Sequence, residues 1–240
     1  MQYLDLERLG AVDVPAFRAT TPYPWTNPAG LLTEEGFRAL YENMPDTSLF
    51  TQEFGVQRSH GQHPHDRLAL EYRDDLPISE HWHGFLRELR GIDYRRFMQQ
   101  MYDTRFLTLT FHWHYAPRGA SVSPHCDAKR KLGSHIFYFS TEEDWQEDWG
   151  GQTLVLDDHG RFGRKSAPKF EEFDSEVAAD GMGNISFLFA RKDNSWHGVR
   201  EITCPEGMYR RVFIVVVEDK KHSLVHSVID PLRGKKRARY

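Results

Sequence analysis

The sequence has few cysteines, no long apolar run and no basic excess. Cys126 and Cys204 are the two cysteines among 240 residues, which is too few for a disulfide framework and fits a reducing compartment. No apolar stretch reaches the length of a membrane-spanning helix, and the opening residues, MQYLDLERLGAVDV, lack the apolar core of a signal peptide. We therefore expect a cytoplasmic protein that has no membrane partner.

A surplus of positive charge is also missing. The chain has 31 Lys and Arg against 35 Asp and Glu, a formal net charge of −4. Because a nucleic-acid binder carries a strongly basic footprint, we expect no nucleic-acid partner. Hydrophobic residues at 39% and aromatic residues at 13% are enough for one sizeable core and exclude a disordered chain.

Helical patterns are confined to the first hundred residues. Thr33 starts the run TEEGFRALYENM and Ser79 starts SEHWHGFLREL, and in both runs apolar residues recur at helical spacing behind a candidate cap. A third helix is predicted over 93–101. The opening stretch through Pro28 and the stretch 46–77 contain many breakers, which predict irregular structure with short extended pieces.

After Asp103 the period changes from helical to two. The segment FLTLTFHWHY alternates, so that one face carries Leu107, Leu109, Phe111, Trp113 and Tyr115. Further strands are predicted at 135–139, 152–157, 184–190, 198–202 and 209–219. Helices followed by a run of strands predict a mainly β fold, a sandwich or barrel buttressed by N-terminal helices.

We expect one domain over 1–240. Its parts are a helical N-terminal support with loops (1–103), a β-barrel (104–219) and a basic C-terminal tail (220–240). The charged segment 158–180 is long for a loop, and we expect it to form a flap over a site.

The triplet His125-Cys126-Asp127 is the strongest chemical signal. Residues two apart on a strand point to the same side, so His125 and Asp127 can bind one ion while Cys126 points away. His197, in DNSWHGVREI, is a candidate third ligand. Two imidazoles and one carboxylate on one face of an octahedral ion form the facial triad of non-haem Fe(II) oxygenases.

A pair of arginines opens the last predicted strand, YRRVFIVVVED. Arg210 and Arg211 lead directly into an apolar run, where a buried arginine is costly without an anionic partner. A guanidinium fork matches a carboxylate. The pattern therefore predicts a second functional group, a carboxylate anchor, on this strand.

With these residues the sequence resembles the 2-oxoglutarate/Fe(II)-dependent dioxygenases, specifically their prolyl-4-hydroxylase-like branch, over roughly 107–219. The resemblance implies a double-stranded β-helix, the jelly-roll or cupin-like barrel. It also implies that His125, Asp127 and His197 bind Fe(II). Asp127 fills the position that halogenating relatives leave small, which favours hydroxylation.

The resemblance further implies a binding site for 2-oxoglutarate. The anchor of its distal carboxylate falls on Arg210 or Arg211, and Tyr138 in HIFYFS matches a tyrosine that binds the same carboxylate. Tyr115 matches a tyrosine that lines the co-substrate pocket. Because Phe213, two residues past Arg211, would crowd a small dicarboxylate, we favour Arg210.

The function implied is a hydroxylase that uses Fe(II), 2-oxoglutarate and O₂ on an unactivated C–H bond of a small molecule or amino-acid derivative, with decarboxylation of 2-oxoglutarate to succinate. One alternative is a protein side-chain hydroxylase of the prolyl type. Another is a non-catalytic cupin-like module that binds a metal or a small acid. The nucleic-acid dealkylating branch has a second arginine six residues past the anchor, where this chain has Val216 or Val217. A zinc hydrolase would not explain Arg210, and the oligomeric state stays open.

Other histidines are interpreted as structural. His60, His63 and His65 lie in a turn-rich loop, SHGQHPHDR, where a second metal site is disfavoured and contact with substrate at the site mouth is the alternative. His112 and His114 share the strand face opposite Tyr115 and are expected to pack against a helix or solvent. Trp196, beside the candidate ligand, either walls the substrate pocket or packs in the core.

Overall fold

The computed structural model describes residues 1–58 and 61–219; His60 and the predicted tail over 220–240 lie outside the described residues. The α-helices of the described residues are α1 (Leu6–Gly10), α2 (Val14–Ala19), α3 (Glu34–Glu42), α4 (Glu80–Arg90) and α5 (Ile92–Tyr102). Their strands are β1 (Trp25–Thr26), β2 (Thr51–Glu53), β3 (Arg67–Glu71), β4 (Leu107–Pro117), β5 (Val122–His125), β6 (Lys131–Tyr138), β7 (Leu154–Asp157), β8 (Ser175–Ala178), β9 (Ser186–Ala190), β10 (His197–Val199) and β11 (Tyr209–Asp219). None of the described helices is long and apolar enough to cross a membrane.

Side-chain caps determine where the longer helices begin. The hydroxyl oxygen of Thr33 accepts a hydrogen bond from the backbone N–H of Gly36 at 3.0 Å, and that of Ser79 accepts one from His81 at 3.3 Å. These bonds satisfy N–H groups that the first turn leaves without partners. The predicted starts of α3 and α4 are therefore confirmed.

The opening stretch contains two helices that the sequence analysis did not predict. Asp5 caps α1 and Asp13 caps α2, each by accepting a hydrogen bond from a backbone N–H three residues later. The helices have five and six residues, so neither contains enough turns to produce a helical period. The expectation of irregular structure before Pro28 is wrong at these two places.

The strands form two antiparallel sheets. The larger sheet has the order β1-β9-β6-β11-β4-β3-β2, and the smaller has the order β5-β10-β7-β8. From β4 to β11 the chain passes back and forth between the two sheets, which is the winding of a jelly roll. The predicted mainly β fold with N-terminal helices is confirmed.

The helices cover the outer face of the larger sheet. The Trp82 ring of α4 lies 5.0 Å from the Trp113 ring of β4 and 5.2 Å from the Phe213 ring of β11. All three side chains are fully buried. Burial of a large apolar side chain contributes about 1.5–3 kcal/mol, so this contact fixes the helical layer to the sheet.

The opposite face of the larger sheet forms the interior of the barrel. His114 on β4 lies opposite Val212 on β11, and residues opposite each other share a face. Val212 packs in a buried cluster with Phe189, whose ring lies 4.6 Å from that of His197. His112, two residues before His114, shares this face. The expectation that both histidines pack against a helix or solvent is wrong, because the helices cover the other face.

The segment 158–180 packs Phe162 and Phe173 on the outer face of the smaller sheet and supplies its edge strand, β8. The rings of Phe162 and Phe173 lie 6.3 Å and 5.8 Å from the ring of Trp196 and meet it edge to face. Cys126 belongs to the same buried cluster. The expectation of a flap over the site is therefore wrong: the segment covers the sheet from outside, and Trp196 packs in the core.

Candidate active site

The smaller sheet brings two histidines directly opposite each other. His125 ends β5, His197 begins β10, and the antiparallel register pairs them with their ring centroids 4.3 Å apart. Asp127 follows two residues after His125, and one ligand atom from each of the three residues lies within 4.8 Å of the others. The structure therefore gathers the three residues that the sequence analysis selected as metal ligands.

Two backbone carbonyls orient the imidazoles. Nδ1 of His125 donates a hydrogen bond to the carbonyl of Ser123 at 3.0 Å, and Nδ1 of His197 donates one to that of Ser195 at 2.9 Å. Because a carbonyl only accepts, Nδ1 carries the proton, and Nε2 of each ring is free to bind an ion. Burial lowers the pKa of His125 to about 3 and lowers the pKa of His197 as well. Both rings are thus neutral near pH 7, the form that binds metal.

A lysine on the next strand holds the carboxylate. Nζ of Lys131 lies 2.8 Å from Oδ1 of Asp127. Burial opposes the charged form of Asp127, but attraction to Lys131 and to the two histidines, together with the hydrogen bond from Lys131, outweighs burial and lowers the pKa of the carboxyl group. Asp127 therefore stays ionised at neutral pH and can act as an anionic ligand.

This donor set fits a divalent first-row transition ion. It consists of two neutral imidazole nitrogens and one carboxylate oxygen, without a thiolate, as in the facial triad. Among residues 1–58 and 61–219 it is the one group of three such side chains that could hold an ion. Three protein ligands leave coordination positions for further molecules, which is the arrangement of a catalytic rather than a structural site.

A buried arginine occupies the same interior. Arg210 lies at the start of β11 and donates from Nε to the carbonyl of Gly151 and from a terminal nitrogen to Oγ1 of Thr153 at 3.3 Å. The Tyr138 hydroxyl lies 2.7 Å from the same Thr153 oxygen. No carboxylate of the described residues lies within ion-pair distance of this guanidinium, and burial lowers the pKa of Arg210. A buried cation without a counter-charge is costly, so the site fits an anionic ligand.

The arginine and the histidines lie along the same wall of the barrel. Val155 of β7 is the cross-strand partner of His197, and Thr153 lies two residues earlier on the same face. Two residues of a strand span roughly 7 Å. A small dicarboxylate could therefore bind an ion at His197 with one end and contact Arg210, beside Thr153, with the other.

A glycine makes room for this arginine. Gly151 has φ +93°, and a Cβ atom built there would lie 2.9 Å from Cδ of Arg210. Both the backbone conformation and the close approach require glycine at this position. The sequence DWGGQTLVL thus contributes to the arginine site through the backbone that Arg210 packs against.

Arg211 and Tyr115 lie on the other face of the larger sheet. The two residues are cross-strand partners, and Arg211 forms an ion pair with Asp144. The Tyr115 hydroxyl donates a hydrogen bond to the carbonyl of Pro45 at 3.1 Å, beneath the helical layer. The expectation that Tyr115 lines the co-substrate pocket is therefore wrong. Of the two arginines, Arg210 is the one that faces the interior.

One histidine of the loop cluster lies beside the three candidate ligands. The His65 ring is 4.9 Å from the His125 ring, and its Nε2 donates to the hydroxyl of Ser123 at 3.1 Å. Arg58 donates to Nδ1 of the same ring. Among the described residues, neither His63 nor His65 joins a second group of metal ligands. The sequence analysis missed Arg58, because loop residues follow no regular period from which the direction of a side chain could be predicted.

No protein-family model and no curated protein sequence matches the chain. Solved structures do match. A prolyl-4-hydroxylase from Pseudomonas putida is 17% identical with a TM-score of 0.61, and the match covers 88% of this chain and 98% of that one. A prolyl hydroxylase from Trichoplax adhaerens, in complex with a hypoxia inducible factor peptide fragment, is 13% identical with a TM-score of 0.60 and coverages of 92% and 93%.

A third similar structure is a non-heme α-ketoglutarate dependent carbocyclase, SnoK, from nogalamycin biosynthesis. It is 11% identical with a TM-score of 0.60, and the match covers 88% of this chain and 86% of that one. The chain has the double-stranded β-helix fold. At these identities the likeness concerns the fold, and the functional argument depends on the residues of this chain.

Proposed function

We propose that this protein is an Fe(II)- and 2-oxoglutarate-dependent dioxygenase that hydroxylates an unactivated C–H bond of a small molecule or amino-acid derivative. The observation that carries the proposal is the pairing of a facial triad with Arg210, a buried cation that lacks a carboxylate partner among the described residues. A metal triad alone would fit many proteins. The arginine adds a counter-charge for a dicarboxylate that binds the same ion.

The roles of the metal ligands follow from the donor atoms. His125 and His197 would hold Fe(II) through Nε2, and Asp127 through its carboxylate, with Lys131 keeping that carboxylate in place. Three positions of an octahedral ion then remain open for the co-substrate and O₂. When bound, Fe(II) and 2-oxoglutarate supply the oxidising chemistry, in which O₂ is consumed and the 2-oxoacid is converted to succinate and CO₂.

The arginine pocket would orient the co-substrate. Arg210 would bind the distal carboxylate, because its burial strengthens an ionic hydrogen bond by excluding water. The Tyr138 hydroxyl and the Thr153 hydroxyl lie 2.7 Å apart, so either can turn its proton toward the same carboxylate. Fixing this end of the molecule would direct its other end to the metal.

We infer the class of substrate from side chains that face the interior of the barrel. His114 and His112 face the inside of the barrel, and His65, which accepts a hydrogen bond from Arg58, lies next to His125. These polar side chains support a small polar substrate. The alternative is a prolyl-type protein side chain; among the similar structures, one is a complex with a peptide and another comes from natural-product biosynthesis.

Release of succinate without added substrate tests the proposal. We expect slow release that requires Fe(II) and O₂, falls at least 100-fold in His197→Ala and needs at least tenfold more 2-oxoglutarate in Arg210→Ala. Arg200→Ala is the matched control, because Arg200 pairs with Glu171 and Glu176 on the protein surface. Binding of 2-oxoglutarate without any succinate would contradict the proposal and favour the non-catalytic module.

Screening then separates the two classes of substrate. Amino acids and their N-acetyl derivatives are compared with proline-containing peptides blocked at both ends, and stimulation of succinate release is measured for each. We expect stimulation by members of the first set. Stimulation by the blocked peptides alone would favour the protein hydroxylase.

A further inference from the structure

The loop between β2 and β3 brings a second arginine to the rim of the barrel. A terminal nitrogen of Arg58 donates a hydrogen bond to Nδ1 of His65, and Nε2 of His65 donates to the hydroxyl of Ser123 at 3.1 Å. The carbonyl of Ser123 orients His125. Arg58 is thus connected through two residues to a candidate metal ligand, on a different element from Arg210.

Arg58 has no ion-pair partner among residues 1–58 and 61–219, although charged residues lie near it. Arg67 lies nearby, but it pairs with Glu53 at 2.6 Å, and Asp127 pairs with Lys131 at 2.8 Å. Of the carboxylates in the described part of the chain, none lies within ion-pair distance of Arg58. Burial and repulsion from Arg67 lower the pKa of Arg58, and attraction to Glu53 and Asp127 offsets this lowering only in part. A half-buried guanidinium close to another cation is therefore suited to an anionic ligand.

The hydrogen bond to His65 does not satisfy this arginine. A guanidinium has five N–H donors, and His65 accepts one of them through a neutral nitrogen. The remaining donors form a fork that matches the two oxygens of a carboxylate. In the proposed function, 2-oxoglutarate would already have a cation for each acidic end, namely the metal ion for one end and Arg210 for the other. A further anion at Arg58 would therefore belong to the substrate.

We propose that the substrate carries a carboxylate that Arg58 binds beside His65, so that the enzyme selects anionic substrates. This inference rests on the proposed function, because it names the substrate class of the same site. The carboxylate would belong either to a free small acid, such as an amino acid, or to an acidic side chain of a peptide. In both cases Arg58 would hold the charged group while a C–H bond of the same molecule lies near the metal.

The test uses matched pairs that differ in charge alone. N-acetyl amino acids are compared with their primary amides, and blocked peptides that contain Glu are compared with the same peptides that contain Gln. Binding to the Mn(II)- and 2-oxoglutarate-loaded protein is measured by calorimetry, and stimulated succinate release by the Fe(II)-loaded protein is measured in parallel. The first pair detects a free acid and the second an acidic side chain.

We expect at least one acid to bind and to stimulate succinate release, with its uncharged partner roughly 10- to 100-fold weaker. Arg58→Gln should remove this preference, and Arg58→Lys should restore part of it. Arg200→Gln, which loses the same charge on the protein surface, should keep it. Mn(II) affinity and unstimulated succinate release should stay unchanged in Arg200→Gln.

Three results would overturn the inference. The first is that acids and their amides bind and stimulate succinate release equally, and the second is that no acid does either. The third is that Arg58→Gln changes the dissociation constant for 2-oxoglutarate instead of the preference for acids. Failure of the proposed function is a separate result: it would be seen as absence of metal-dependent binding of 2-oxoglutarate in the unmodified protein, before any substrate is added.

Discussion

His125 and His197 lie directly opposite each other on neighbouring antiparallel strands, with their ring centroids 4.3 Å apart. This pairing brings two residues that are 72 positions apart in the chain to one point. Ser123 and Ser195 each lie two residues before one of the histidines, and each supplies the carbonyl that orients it. The pairing of β5 with β10 therefore sets the geometry of the two candidate histidine ligands.

Metal binding should stabilise the folded protein. A ligand at 100 times its dissociation constant adds about 2.7 kcal/mol, which raises the Tm of a domain of this size by roughly 5–11 °C. We expect this shift with Mn(II) in the unmodified protein and its loss in Asp127→Ala, measured by thermal unfolding. Asp157→Ala, a substitution of a carboxylate outside the site, serves as the control. An equal shift in Asp127→Ala would contradict the assignment of this ligand.

Gly151→Ala should weaken binding of 2-oxoglutarate. The new Cβ would lie 2.9 Å from Cδ of Arg210 and displace that side chain. We expect a rise of at least tenfold in the concentration of 2-oxoglutarate needed for half-saturation, with unchanged affinity for Mn(II). Gly160→Ala controls for backbone strain, since Gly160 has φ +80° but open space around it. Equal effects of the two substitutions would show that strain, and not Arg210, is responsible.

Removing the hydroxyl of Tyr138 should affect ligand binding, whereas removing that of Tyr115 should affect stability. Tyr138→Phe removes a hydroxyl next to Thr153 and Arg210, so we expect weaker binding of 2-oxoglutarate with little loss of metal affinity. Tyr115→Phe removes a hydrogen bond to the carbonyl of Pro45 and should cost about 1 kcal/mol of unfolding free energy without changing binding. Calorimetry and urea unfolding measure the two properties. A binding defect in Tyr115→Phe would contradict its position on the outer face.

The helical layer should contribute strongly to stability. Trp82→Ala removes a fully buried ring that packs on Trp113 and Phe213, and we expect a loss of about 3–5 kcal/mol in the free energy of unfolding. Phe106→Ala, at a residue that is 56% exposed, should cost far less. Urea unfolding monitored by circular dichroism measures both. Similar losses for the two variants would contradict the packing of helices on the sheet.

Part of the candidate site could be predicted from short-range patterns, whereas no such pattern places His197, 72 positions from His125. Alternation along a strand puts His125 and Asp127 on one side, and it separates Arg210 from Arg211. Alternation does not state which face of a strand points into the barrel. Both faces of β4 are covered, one by helices and one by the interior, so the position of Tyr115 was predicted on the wrong face.

Contacts made by loops also could not be predicted from the sequence. Arg58 and His65 reach the site through a connection with no regular period, so their positions depend on the folded path of the loop. The segment 158–180 was interpreted as a flap from its length and charge. Its Phe162 and Phe173 instead bury against Trp196 outside the smaller sheet, a contact that the three aromatic side chains favour energetically.

An anaerobic visible spectrum tests most directly whether the triad and Arg210 form one co-substrate site. The metal-free protein is titrated with Fe(II) and then with 2-oxoglutarate, beside His125→Ala and Arg210→Ala. We predict a charge-transfer band that requires both additions, is absent in His125→Ala and needs at least tenfold more 2-oxoglutarate in Arg210→Ala. Fe(II) bound at His125 without such a band, or an unchanged titration in Arg210→Ala, would contradict the account.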